Sequence, residues 1–338
     1  MSNTKNRIEW VDMAKGYGMI LVIVAHLTIG NNINIWINSF HMPLFFMLSG
    51  YVFSDKYNFP TFLKKKSKSL LLPYLCLGVP MVIFDCIYYS IHNTFSLEYW
   101  LTTFWKFIVQ NRQYTLWFLA TLFFLNIIFY CAKKLFKTNL ALAIFSVAIY
   151  IIGLIYYKLG GPSLPWNVDA AFMSIPFFYI GYFYKCNYEK IDKFLNSRKR
   201  LIFLSVPCLI LNFAFCFISY NTTGKMFNMF DSTYGIAPLT FIGACLGSFS
   251  VILLAKLSTF KSIQYIGKNS LIYFAWHQAI LMPLSVDFLA MFSITITNNS
   301  TTIDKAIFVL LQFIFIIVIS TICNYFISNS KLKFMIGK

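Results

Sequence analysis

Lys15 and His26 stand eleven residues apart in one apolar stretch. On a helix that spacing is about 1100° of rotation, roughly 20° from one face, and about 16 Å along the axis. Asp12 lies one turn before Lys15, so a single stripe carries an acid, a cation and, at the far end, an imidazole. A cation there suits an anionic group, and an imidazole suits proton transfer. His41, Asp85 and His277 also fall within apolar runs, whereas His92 sits in a loop. Titratable groups are costly in lipid and mark functional sites by default. The plainer readings stand beside this one. His41 and His277 serve equally as hydrogen-bonding struts between helices, Asp85 as a structural or rim group, and Asp12 as an (i, i+3) partner of Lys15.

A second cluster lies at residues 63–74, LKKKSKSLLLPY. Lys65, Lys66 and Lys68 either anchor topology or form a phosphate-binding collar, since lysine meets phosphate as a point charge. Gly16 and Gly18 thin the first stretch beside Lys15 and admit a neighbouring helix or ligand.

These groups need a scaffold that lipid can solvate. Hydrophobic residues make up 59% of the chain and charged ones 12%, about half the charged share of a soluble protein. Apolar windows of about 20 residues predict spans at 10–29, 36–54, 69–90, 115–132, 140–157, 168–184, 201–219, 236–255, 264–284 and 306–327. Lysines and arginines crowd alternate connections, beginning with Lys5 and Arg7; the others hold only Lys106, Arg112, Lys158, Lys225 and Lys305. The positive-inside rule then gives an all-α polytopic membrane protein of about ten transmembrane helices with both termini cytoplasmic. The first helix is expected to stay uncleaved. A net charge of +17 is accounted for by loops facing anionic lipid, and no nucleic-acid surface is expected. Residues 91–114 alternate aromatic and polar side chains, as a helix lying in the interface does; 220–235 and 286–304 are the other long outer segments. The eight cysteines lie singly with no CxxC, which argues against disulfides and metal sites. No internal repeat is evident, and residues 1–338 read as one domain.

Nucleotide-binding, zinc-protease and serine-hydrolase motifs are absent. The segment 10–26, WVDMAKGYGMILVIVAH, resembles the first helix of the acyltransferase 3 family, in its sugar O-acetyltransferase (fucose 4-O-acetylase-like) branch. Residues 40–51 (FHMPLFFMLSGY) are similar to that branch's second helix, the lysine run to its entry into the third, 116–119 (LWFL) to its fourth and 265–277 (YIGKNSLIYFAWH) to a late one. Where the family has arginine followed eleven residues later by histidine, Lys15 keeps the charge and loses the bidentate fork. The resemblance implies an inner-membrane bacterial O-acetyltransferase. It would take acetyl from cytoplasmic acetyl-CoA, a co-substrate rather than a resident cofactor, to a hydroxyl of a surface polysaccharide or its lipid-linked precursor. His26, Lys15 and Asp12 would then do the chemistry, Lys65, Lys66 and Lys68 hold the donor, and His41, His277 and Trp117 support the acceptor. The lipid bilayer, the donor and the glycan are the expected partners. The alternative is a transporter or flippase of a lipid-linked saccharide, and a third reading is a non-catalytic scaffold.

Overall fold

The computed structural model describes residues 8–27, 30–112, 114–297 and 300–338. The basic residues Lys5 and Arg7, and the last two residues of the first expected span, lie outside them. The described residues are helical apart from connections and one isolated bridge, Asn228 to Thr233.

Helix α1 (Glu9–His26) is followed by α2 (Asn31–Asn38) and α3 (His41–Tyr51). Then α4 (Phe59–Lys66) runs through a π-helical segment (Ser67–Leu71) into α5 (Leu72–His92). The short α6 (Leu97–Val109) precedes α7 (Trp117–Leu135), α8 (Asn139–Lys158) and α9 (Val168–Cys186). Beyond α10 (Tyr188–Phe194) come α11 (Arg198–Thr223) and α12 (Ala237–Leu257). Next are α13 (Lys261–Lys268), α14 (Ser270–Trp276), a second π segment (His277–Leu281) and α15 (Met282–Ala290). The long α16 (Thr302–Asn329) and a 3-10 turn (Lys331–Ile336) complete the order.

Among the described residues, six helical stretches are long and apolar enough to cross a membrane: α4 through α5, α7, α8, α11, α12 and α16. The other four expected spans take a different form. The first is α1, 18 residues bearing Glu9, Asp12 and Lys15. The second is broken between α2 and α3, and the ninth is divided at Asn269 and again by the π segment. The sixth, α9, carries Asp169, Pro176 and Lys185. A hydropathy window treats an apolar run as one continuous helix, whereas here polar groups and chain breaks interrupt it. Irregular backbone is tolerated at such depth only when buried in protein.

The break between α2 and α3 meets that condition. Asn212 of α11 donates to the Ser39 hydroxyl at 3.0 Å and the Gly243 carbonyl at 2.9 Å, and accepts from Trp36 Nε1 at 2.8 Å. Ser248 donates to the Phe40 carbonyl at 3.2 Å. Asn212→Leu removes three hydrogen bonds and leaves Trp36 Nε1 without its acceptor, at an expected cost of about 1–3 kcal/mol. The check is the Tm of the purified protein, and an unchanged value would remove Asn212 from this role.

Small residues bring the site-bearing helices close. A Cβ at Gly181 of α9 would collide with the Met47 carbonyl, one at Gly50 of α3 with the Phe178 carbonyl. Likewise, Gly16 of α1 abuts the Ile263 carbonyl, and Gly267 of α13 abuts the Asp12 carbonyl. The glycines beside Lys15 thus admit a neighbouring helix, as small-residue interfaces in membranes do. At this end Lys256 pairs with Asp192 inside a ring of Trp10, Tyr184 and Tyr188. Gly337, at φ 72°, closes the last turn against the Lys68 carbonyl, which places the chain's end beside the lysine run.

Candidate active site

The side chains at the opposite end of α1 converge on a cavity of about 540 Å³. His26 and His41 line it, together with Trp117, Tyr99, Arg112 and Gln278. His277 lies behind His26 and is wholly buried; its Nε2 is 3.5 Å from His26 Nδ1, with the rings nearly perpendicular at 77°.

Backbone carbonyls set the tautomers. His26 Nδ1 lies 2.8 Å from the Val22 carbonyl, and His277 Nδ1 lies 3.0 and 2.9 Å from those of Tyr273 and Phe274. His41 Nδ1 is 2.9 Å from the Ile37 carbonyl. A carbonyl only accepts, so each Nδ1 carries the proton and each Nε2 keeps a lone pair. The His277 lone pair then faces the His26 N–H, as an orienting partner faces a catalytic imidazole. His26 Nε2 is left as the acceptor available to the cavity.

The second π segment explains the depth of His277. A π turn shifts the i to i+4 ladder and frees carbonyls, and such turns recur at functional sites. Here the imidazole takes the carbonyls of Tyr273 and Phe274, and Thr115 donates to Ala275 at 3.2 Å. Helix α16 steadies this region: Gln312 donates to Ser285, Asn324 donates to Tyr265, and Thr321 bonds Tyr273. The first π segment contains Lys68 and directly follows Lys65 and Lys66, so both interruptions of this type coincide with candidate site motifs.

The expected residues form three groups. His26, His41, Trp117 and the supporting His277 meet at the cavity. Asp12, which is buried, and Lys15, which is half-buried, sit on the N-terminal half of α1 and do not line it. Lys65, Lys66 and Lys68 lie where α4 meets α5, with Lys65 over the Tyr57 ring at 3.6 Å and Lys66 over Phe62 at 5.6 Å.

Several cavity groups are additions to the residues expected above. Arg112 pairs with Asp169 at the start of α9, donates to the Phe230 carbonyl, and donates to Ser232 at 2.7 Å. It therefore ties three connecting segments together at the cavity wall. Gln110, Arg112 and Tyr114 all have positive φ, between 46° and 50°, a conformation that costs non-glycine residues energy and clusters at functional sites. Asp85 accepts from Tyr99 at 2.8 Å. Burial first, and then this carboxylate, pushes the Tyr99 and Tyr114 phenols above their ordinary range, so both remain donors. The signals for these additions were an acid at the mouth of an apolar run, Asp169, and one of few outer cations, Arg112.

A family model described as an acyltransferase domain matches residues 8–329. The chain belongs to the acyltransferase 3 family. No curated protein and no solved structure matches it. Membership assigns the chain to a class of acyltransferases, and its apolar helices fit a multi-pass membrane protein. Within this family member, the histidine cavity lies at the C-terminal end of α1 and the lysine run where α4 meets α5.

Proposed function

We propose that this family member is a sugar O-acetyltransferase of the bacterial inner membrane, with ten spans and both termini cytoplasmic. It moves acetyl from acetyl-CoA to a hydroxyl of a surface polysaccharide or its lipid-linked precursor. The observation that carries this reading is the pairing of His26 with His277 at a cavity shared with His41. Four of the ten spans are the short or broken ones, packed against the six apolar helices.

Lys65, Lys66 and Lys68 hold the donor's phosphates at the cytoplasmic face, and Lys15 meets a phosphate or the carbonyl of the arm. His26 Nε2 takes the proton from the sugar hydroxyl as its oxygen attacks the thioester carbonyl carbon. The tetrahedral intermediate expels the coenzyme A sulfur, and the imidazolium returns the proton to that thiolate. His277 holds His26 in the required tautomer and faces the cation that forms. A neutral imidazole is a cheaper base to keep in a dry site than a carboxylate. Trp117, Tyr99 and His41 receive the sugar, the aromatic faces stacking on its apolar side.

Membranes containing the protein should move labelled acetyl from acetyl-CoA to a glycan. A change in glycan amount or location, with acetyl content unaltered, would instead favour transport. Lys15→Arg should keep most of this activity. Lys15→Met should lose roughly ten- to a hundredfold in kcat/KM, the value of about 1.5–3 kcal/mol for a hydrogen bond to a charged group. Equal loss in both variants would assign Lys15 a packing role beside Gly16.

A further inference from the structure

A second large cavity, about 560 Å³, runs between the last turn of α1 and the first half of α16. Its walls are mainly apolar: Val24 and Leu27 on one side, Ala306, Val309 and Phe313 on the other, with Lys305 among the lining residues. Side chains of α16 stand bare here, Ile303 beside the groove at 70% and Leu310 in its wall at 56% exposed, so this flank faces the lipid. Such a groove takes a hydrocarbon chain.

Lys305 names the head group. Cations are depleted from outer segments, yet this one lies in the first turn of α16, at the groove's outer end. The adjacent Asp304 does not offset it in place, because that carboxylate accepts from the Thr301 backbone and hydroxyl, both at 2.8 Å, in a capping box. The groove and the reaction cavity lie on opposite faces of the last turn of α1. Val22, Ala25 and His26 line the cavity while Val24 and Leu27 line the groove. The width of α1 separates them, and that helix ends at His26, with Leu27 already extended.

We propose that this groove binds a polyprenyl phosphate, its chain between α1 and α16 and its phosphate on Lys305, so that a sugar carried on the phosphate passes over the end of α1 to His26. The reading rests on the acyl-transfer function above and narrows its acceptor to the lipid-linked precursor. A bilayer phospholipid in the same place would bring no sugar hydroxyl to the imidazole.

The test is retention of undecaprenyl phosphate by the purified full-length chain, measured by native mass spectrometry in competition with phosphatidylglycerol and with undecaprenol. One retained undecaprenyl phosphate is expected. Lys305→Gln should weaken it about fivefold, the value of one lysine near a phosphate surface, and leave undecaprenol unchanged. Ala306→Trp fills the groove and should abolish retention of both polyprenyl lipids. Retention unaltered in both variants, or equal competition by phosphatidylglycerol, overturns the site even where acetyl transfer is normal. Retention lost as described upholds it even where acetyl transfer is absent, an outcome that would fault the proposed function instead.

Discussion

Membranes carrying His26→Ala are expected to transfer acetyl about a hundredfold to ten-thousandfold more slowly than wild type, the range for losing a positioned general base. Protein abundance and Tm should stay close to wild type. The side chain is half-buried at a cavity wall, and its hydrogen bonds run to its own helix at Val22 and to His277. The measurement is labelled acetyl incorporated per unit of protein, with Tm recorded on the same preparations. Normal transfer by this variant would remove His26 from the chemistry. A collapse of abundance without residual specific activity to compare would be met by His26→Asn, which preserves an Nδ-like donor to Val22 while abolishing the base.

The largest effect on stability is expected at Arg112 and Asp169. Their side chains are 15% and 8% exposed, and removing one partner of a buried pair leaves an uncompensated charge, typically at about 3–5 kcal/mol. Asp169→Ala should therefore lower the Tm strongly and also impair transfer, because Arg112 lines the cavity and anchors the Phe230 segment to it. Replacing both by apolar residues, Arg112→Met with Asp169→Leu, should recover much of the Tm and little of the activity. Tm values for the two single variants and the double variant check this directly. If the double variant loses the sum of the two single losses, the pair is not coupled as its geometry requires.

The parts of the site that were legible in the sequence are those governed by local periodicity. The Lys15 to His26 stripe needs only an unbroken helix between them, and α1 supplies it. The placing of His41 near His26 follows from antiparallel neighbours, and the two do line one cavity. What was not legible depends on interruptions and long-range closure. The contact of His277 with His26 joins positions 251 apart in sequence and relies on a π turn, which no propensity marks. The break at Ser39 is invisible in hydropathy because its polar backbone is satisfied by Asn212, a residue of α11 that carries no pattern of its own. Arg112 read as an ordinary outer cation until its partner Asp169, 57 positions away, came beside it. The count of ten spans met the same difficulty, since the windows that hold the chemistry are the ones whose helices are shortened or divided.

That division of labour bears on how the protein is made. The six strongly apolar helices can each partition into a bilayer unaided. The stretches that carry Lys15, His41, Asp169 and His277 are short, broken or charged, and their polar groups favour water until protein surrounds them. Biogenesis should therefore proceed from insertion of the apolar six to later packing of the short and broken stretches, with the histidine cavity assembled last. Half-made chains would present those polar stretches to the quality-control proteases of the membrane, and a lesion at Asn212 or Gly181 would be seen first as shortened lifetime of newly synthesised protein.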